Sequence, residues 1–277
     1  MNGSPEHEII IEKGVGLGKY WSELWRYREL FAFLAWRDIL VRYKQTAIGI
    51  AWSVMRPLLT MIVFTIVFGR IAKLPSDNVP YPIMVYAAML PWQLFANSLS
   101  ESSNSLVTNT NLITKVYFPR LVIPASSVVT SLVDFGISSL ILAVLMVWYK
   151  FVPGWRLVTI PFFLCLALVT SLGFGLWLSA LNVRYRDFKY VIPFLVQFGL
   201  YISPVGFSST VVPEQWRFVY SLNPMVGVIE GFRWALLGSD ARFLISGVVV
   251  SASLSLATLV SGFFFFRRTE RTFADVI

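Results

Sequence analysis

NVRYRDFKYVIPFLVQFGLYISP, residues Asn182 to Pro204, joins two unlike pieces of chemistry. It opens on a short basic turn with Arg184, Arg186, Asp187 and Lys189, and runs straight into an apolar segment long enough to enter a bilayer. That segment is striped. Tyr190, Phe194, Gln197 and Tyr201 fall at i, i+4, i+7 and i+11, so a helix carries them on one face. A charged turn in water and an aromatic and amide face at membrane depth describe a device that works on both sides of a bilayer.

Composition agrees. Only 14% of the 277 residues are charged, against about 25% in soluble domains, and the mean hydropathy is +0.68. The length accommodates about six spans of roughly 20 residues and leaves no room for a large soluble domain. The formal charge of +8 fits basic loops facing anionic lipid better than nucleic acid. The single cysteine, Cys165, excludes an internal disulfide.

Residues 1–19 read as a polar, disordered lead. GVGLGK at Gly14 to Lys19 fails as a phosphate loop: the first required glycine falls on Lys13, and Tyr20 stands where Ser or Thr must hold magnesium. Any ATP must therefore be hydrolysed by another chain. Residues 20–47 read as an amphipathic interface helix region, with Trp21, Leu24, Trp25, Phe31 and Ala35 opposite Ser22, Glu23, Arg26 and Glu29. Residues 48–277 form an all-α integral membrane domain of six transmembrane helices, beginning near Ile48, Ile83, Leu121, Leu157, Tyr190 and Phe243.

Several spans carry polar stripes. In the first, Gly49, Ser53, Arg56 and Thr60 share a face, and Pro57 should bend it. Arg56 either snorkels to the near interface or faces water and an anionic substrate group. In the second, Gln93, Asn97, Ser100 and Asn104 keep helical spacing, so this helix continues past the membrane. In the third, Asp134 lies with Ser127, Ser131 and Ser138 and should point into the bundle in a hydrogen-bonding role. Ser171, Gly175 and Ser179 give the fourth span a small-residue face for close helix contact. Between spans five and six, Val211 to Leu222 and Val226 to Leu237 are too short to cross and read as re-entrant half-helices. Within the second, Glu230 and Arg233 are spaced to pair. The segments inside have about twice the Lys and Arg of those outside when both termini are cytoplasmic.

No metal spacing, nucleophile elbow or paired intramembrane carboxylates occur. Aromatic rings stack on the apolar faces of sugars, and Gln, Asn and Tyr bond hydroxyls, so passage of a glycan suits these faces better than ion pumping.

Five pieces in order carry a resemblance: RYKQTAIGIAWSVMRP (Arg42 to Pro57), LPWQLFANSL (Leu90 to Leu99), LITKVYFPRLVIP (Leu112 to Pro124), NVRYRDFKYVIPFLVQFGLYISPV (Asn182 to Val205) and Asn223-Pro224. The chain resembles the permease subunits of bacterial polysaccharide-export ABC transporters, the O-antigen, capsule and teichoic-acid exporters. The resemblance implies a homodimer in the bacterial inner membrane, paired with two copies of a separate ABC-type ATPase that supplies ATP and Mg, this chain binding no cofactor. It implies a cargo of polysaccharide on an undecaprenyl-type lipid.

It also implies an ATPase-coupling loop around Asn104, Thr108, Asn111 and Lys115, with a second contact at Arg184, Arg186, Asp187 and Lys189. The half-helices, with Asn223, Pro224, Glu230 and Arg233, become a re-entrant gate at the outer side. Ser53, Arg56, Thr60, Gln93, Asn97, Tyr190, Phe194, Gln197 and Tyr201 are the candidates for the path. Two other readings stay open: an exporter of the same architecture for drugs or lipids, and a membrane-embedded glycosyl- or acyltransferase, whose best remaining acid is the isolated Glu230.

Overall fold

A computed structural model describes residues 17–44, 47–76, 79–185, 187–238, 244–270 and 273, with side chains at all of these except 17, 47–53, 244 and 245. Among the described residues every regular element is helical. Among the described residues, four helices rather than the expected six are long and apolar enough to cross a membrane by length and composition: Val54–Ile71, Val122–Trp148, Trp155–Arg184 and Ser246–Glu270.

The amphipathic region is two helices rather than one, α1 (Leu17–Arg26) and α2 (Arg28–Lys44), interrupted at Tyr27. Tyr27 donates its hydroxyl to Tyr117 O at 3.3 Å, a tertiary bond that spacing alone does not reveal. Apolar residues point both ways. Tyr20, Leu34 and Ala35 are buried, whereas Trp25, Phe33 and Trp36 are exposed. The inner face packs on the bundle, and the outer face is free for an apolar medium.

α3 (Ala47–Phe64) contains Pro57 and runs into seven residues of π-helix, Thr65–Ile71. That wider turn ends where Gly69 meets the Tyr81 ring, which a Cβ would approach to 2.9 Å. α4 (Tyr81–Thr108) is the axis of the molecule and continues unbroken past the apolar stretch, as its polar spacing predicts. A short α5 (Thr110–Lys115) turns the chain into α6 (Val122–Trp148). α6 ends with Lys150 at φ +54° and a bond from Phe151 N to Met146 O at 2.8 Å, a helix stop in which lysine occupies a position that favours glycine.

α7 (Ile160–Arg184) uses two faces. A Cβ at Gly175 would lie 2.6 Å from Ser102 Oγ on α4, and one at Gly173 would lie 2.6 Å from Leu259 N on α11 (Leu244–Glu270). The α7–α11 seam also holds Thr170 Oγ1 against Ser255 Oγ at 2.7 Å and Trp177 stacked on Phe265 at 4.1 Å. With lipid as apolar as the side chains, such backbone approach and hydroxyl pairing drive helix association.

α8 (Phe188–Ile202) is 15 residues, about 22 Å at 1.5 Å per residue, short of the roughly 30 Å hydrocarbon core. The chain continues through residues 203–208 without helix, and most of that segment is buried in protein. Non-helical backbone is tolerated at membrane depth only under such cover. The carbonyls are met: Arg233 NH2 donates to Val205 O at 3.1 Å and NH1 to Phe207 O at 2.8 Å, and the Tyr81 hydroxyl donates to Gly206 O.

The half-helix expectation corresponds to α9 (Glu214–Ser221) and α10 (Pro224–Leu237). Asn223 caps α10 by accepting from Met225 N at 3.0 Å, with Pro224 in the first turn, and Gly238 at φ +71° closes it.

Two buried apolar clusters follow one another along the bundle. One gathers Ile83–Leu99 of α4 with Phe163, Leu166, Val228, Ile229 and Phe232. The other gathers Tyr20, Leu34, Leu106, Ile113, Phe118, Leu176, Val183, Phe266 and Phe273. Glu270 fastens the second: its carboxylate accepts from Tyr20 OH at 3.2 Å and Arg120 N at 2.8 Å. Burial first, and Glu270 next, push the Tyr20 phenol above its ordinary range, so it stays a neutral donor.

Candidate functional site

A cavity of about 830 Å³ opens between the end of α2, α3, α4, α6 and α8. Arg56 and Thr60 face it from α3, Gln93 and Asn97 from α4, and Gln197 and Tyr201 from α8. Six of the nine path residues expected from the sequence therefore line one space. Tyr190 and Phe194 do not; they are 78% and 65% exposed on the outward side of α8, where Phe194 stacks on Phe198 with centroids 5.8 Å apart. The side chain of Ser53 lies outside the described residues.

Why α4 presents its polar residues here follows from its packing. Gln93, Asn97, Ser100 and Asn104 are the half-exposed stripe of a helix whose other faces are mostly buried. The cavity wall also includes aromatic Trp92 and Phe64 and the polar Ser131 and Ser138. Rings beside amides and hydroxyls suit a polyhydroxylated ligand better than a bare ion.

Asp134 does point inward. Its Oδ2 is 2.9 Å from Arg42 NH2 and 3.4 Å from Asn97 Nδ2, and Oδ1 accepts from the Tyr43 hydroxyl. Arg42 NH1 reaches Glu101 Oε1 at 3.1 Å. Arg42, Tyr43 and Glu101 had no signal in the sequence, because helical spacing cannot relate the end of α2 to the middle of α6.

At the α5 end of the bundle the end of α7, which leads into the basic turn, is bonded to α4. Asn182, buried at the end of α7, donates to Ser103 O at 3.1 Å and to Asn104 Oδ1 at 3.2 Å on α4. Thr108, Asn111 and Lys115 are exposed beside Val107, Val116 and Tyr117, three apolar residues that polarity alone overlooks. Arg184, Asp187 and Lys189 are exposed, with the Arg184 guanidinium 5.5 Å over the Tyr185 ring; Arg186 lies outside the described residues. Arg37 NH2 donates to Asn109 Oδ1 at 2.8 Å, tying α2 to the tip of α4.

Near the other end, Asn223 Nδ2 donates to Ser203 Oγ at 3.0 Å and Arg233 is 5% exposed beneath the α8–α9 linker. Spacing alone suggests Glu230 as a partner for Arg233; two of the Arg233 nitrogens serve that linker. Among the described residues no three of His, Cys, Asp or Glu come together as a metal site.

This architecture, a helical bundle with a polar and aromatic cavity and an exposed tip joined to a basic turn, belongs to a membrane transporter component. Residues 29–237 match the ABC-2 type transporter family. The chain belongs to that family. It is 31% identical over 261 residues to the O-antigen export system permease protein RfbA of Myxococcus xanthus, covering 92% of this chain and 98% of that one. It is 25% identical over 250 residues to the protein of the same name from Klebsiella pneumoniae, covering 90% and 95%. It is 21% identical over 237 residues to the polysialic acid transport protein KpsM of Escherichia coli, covering 84% and 91%.

Proposed function

We propose that the chain is the transmembrane subunit of an ATP-driven exporter that moves lipid-linked polysaccharide of O-antigen type out of the cytoplasm across the bacterial inner membrane. The observation that carries this is similarity along 98% of the length of a permease named for O-antigen export. The cavity of amides, hydroxyls and rings supports it.

In this reading the six spans are α3 with its π-helical end, α4, α6, α7, α8 with its buried linker, and α11. α1 and α2 lie in the cytoplasmic interface, α9 and α10 are re-entrant at the outer side, and both termini are cytoplasmic. The domain boundaries stay at 1–19, 20–47 and 48–277. Two copies of the chain pair as a homodimer, with the exposed α8 face and Tyr190 and Phe194 turned toward the partner across the path. Two copies of a separate ATPase bring ATP and Mg.

Asn104, Thr108, Asn111 and Lys115 with the Arg184 to Lys189 turn receive the ATPase. Ser53, Arg56, Thr60, Gln93, Asn97, Gln197 and Tyr201 contact cargo. Asn223, Pro224, Glu230 and Arg233 hold the outer gate. The cargo carrier is an undecaprenyl-type lipid.

The test is complementation with purification. In cells lacking their own permease and supplied with the cognate ATPase, the chain restores surface glycan and copurifies the ATPase. Doubly substituting Arg186→Ala and Asp187→Ala leaves the chain in the membrane and abolishes both. Restored glycan without copurification, or full export by the double variant, refutes the coupling surface; no restoration by the unaltered chain refutes the cargo.

A further inference from the structure

One cation in the cavity is shared by two carboxylates. Arg42 reaches Asp134 at 2.9 Å and Glu101 at 3.1 Å, so the last turn of α2 is pinned at once to α6 and α4. The Arg42 side chain nevertheless remains 33% exposed and lines the cavity, while the Asp134 side chain is 10% exposed. A second guanidinium, that of Arg56 on α3, lines the same space and has no acidic partner within ion-pair distance among the described residues.

We propose that Arg42 and Arg56 form a receptor for a phosphate-type oxyanion on the cargo, and that Asp134 is the built-in counter-ion this group displaces from Arg42, unpinning α2. The proposal rests on the exporter reading and names the group of the cargo that the cavity grips.

The chemistry favours exchange. A guanidinium binds phosphate through two parallel N–H bonds, and a phosphate bearing more charge than a carboxylate outcompetes it for the same fork. Two arginines facing one space hold such a group better than one. Asp134 is not stranded when Arg42 leaves. The Tyr43 hydroxyl donates to one of its oxygens and Asn97 Nδ2 stands 3.4 Å from the other, so the buried carboxylate keeps donors in both states. Glu101, 47% exposed, is solvated by water once released. Tyr43 and Arg42 are adjacent, so cargo binding shifts strain to the end of an interface helix that Arg37 also ties to the α4 tip.

The experiment is hydrogen exchange of the full chain in nanodiscs at residues 37–44, with three probes: an isoprenyl diphosphate, the corresponding uncharged isoprenol, and inorganic pyrophosphate. The isoprenyl diphosphate raises exchange in this segment several-fold, and isoprenol does not. Asp134→Asn raises it without any probe and removes most of the response. Arg56→Gln leaves ligand-free exchange unchanged and weakens diphosphate binding about tenfold, with Arg56→Lys intermediate.

A response to pyrophosphate alone assigns recognition to the free phosphate group; a response only to the lipid form assigns it to a headgroup delivered from the bilayer. No change at residues 37–44 with either diphosphate on the unaltered chain, or unweakened binding by Arg56→Gln, overturns the proposal, and neither result requires Asp134→Asn to fold. Normal glycan export without the exchange response removes the receptor and spares the exporter; the response without export does the reverse.

Discussion

α4 and α8 are both striped helices beside the same cavity, and they are built on opposite plans. α4 buries 19 of its 28 residues, and the hydroxyls of Ser98, Ser102, Ser103 and Ser105 are enclosed with them. α8 buries only Ile192 of its 15, and Phe194, Phe198 and Tyr201 stand exposed. The more apolar helix is outside and the more polar one inside. In water that order would be unstable. In a membrane, an apolar surrounding covers the apolar face, and two of the enclosed hydroxyls bond carbonyls of their own helix, Ser103 with Leu99 O and Ser105 with Ser102 O at 2.7 Å. The molecule thus sets a well-enclosed α4 beside a largely exposed α8.

Substitutions should separate the two regions, and the largest effect belongs to the bundle. Gly173→Leu drives a side chain into the Leu259 backbone and should cost about 3 kcal/mol or more, seen as loss of monodisperse protein in detergent. Survival of that variant at normal yield would break the contrast. Next comes Asn182→Leu, which removes both donations to α4 and should cost about 1–3 kcal/mol, with faster hydrogen exchange at the α4 and α7 ends.

Smaller still are the helix stops. Gly238→Ala should cost about 1 kcal/mol at φ +71°, whereas Lys150→Gly should raise the thermal midpoint slightly, by about 0.5–1 kcal/mol of stability, because lysine there holds φ +54°. The smallest stability change should follow Phe194→Leu on α8, within about 0.5 kcal/mol, measured by thermal unfolding. If glycan export by that variant falls while its stability holds, α8 works by what its exposed face touches.

The sequence made the long helices legible because apolar runs and polar spacing are local. α6 begins within a residue of the expected Leu121 and ends on Trp148, and the continuation of α4 past its apolar stretch follows from Asn97, Ser100 and Asn104 at helical spacing. Asp134 also had to find partners, since a carboxylate there is costly when bare. Which partners it found depends on how α2 folds back, and nothing local records that. The break at Tyr27 was hidden for the same reason: the apolar pattern runs through it, and the bond to Tyr117 O is made only in the tertiary structure. Spacing makes the α8 stripe one surface, yet Gln197 and Tyr201 turn into the cavity while Tyr190 and Phe194 do not. Spacing puts residues on a face of a helix but does not decide how much of that face a neighbour reaches.

The seam of α7 against α11 has a consequence for biosynthesis. α7 leaves the ribosome well before α11, carrying Gly173 and Thr170 with nothing yet to meet them. Until α11 inserts, that groove faces lipid or an insertion chaperone, and any other helix with a small face competes for it. Maturation therefore waits on the final helix, and cells short of membrane insertion capacity should accumulate this chain in a protease-sensitive form cut between α7 and α11.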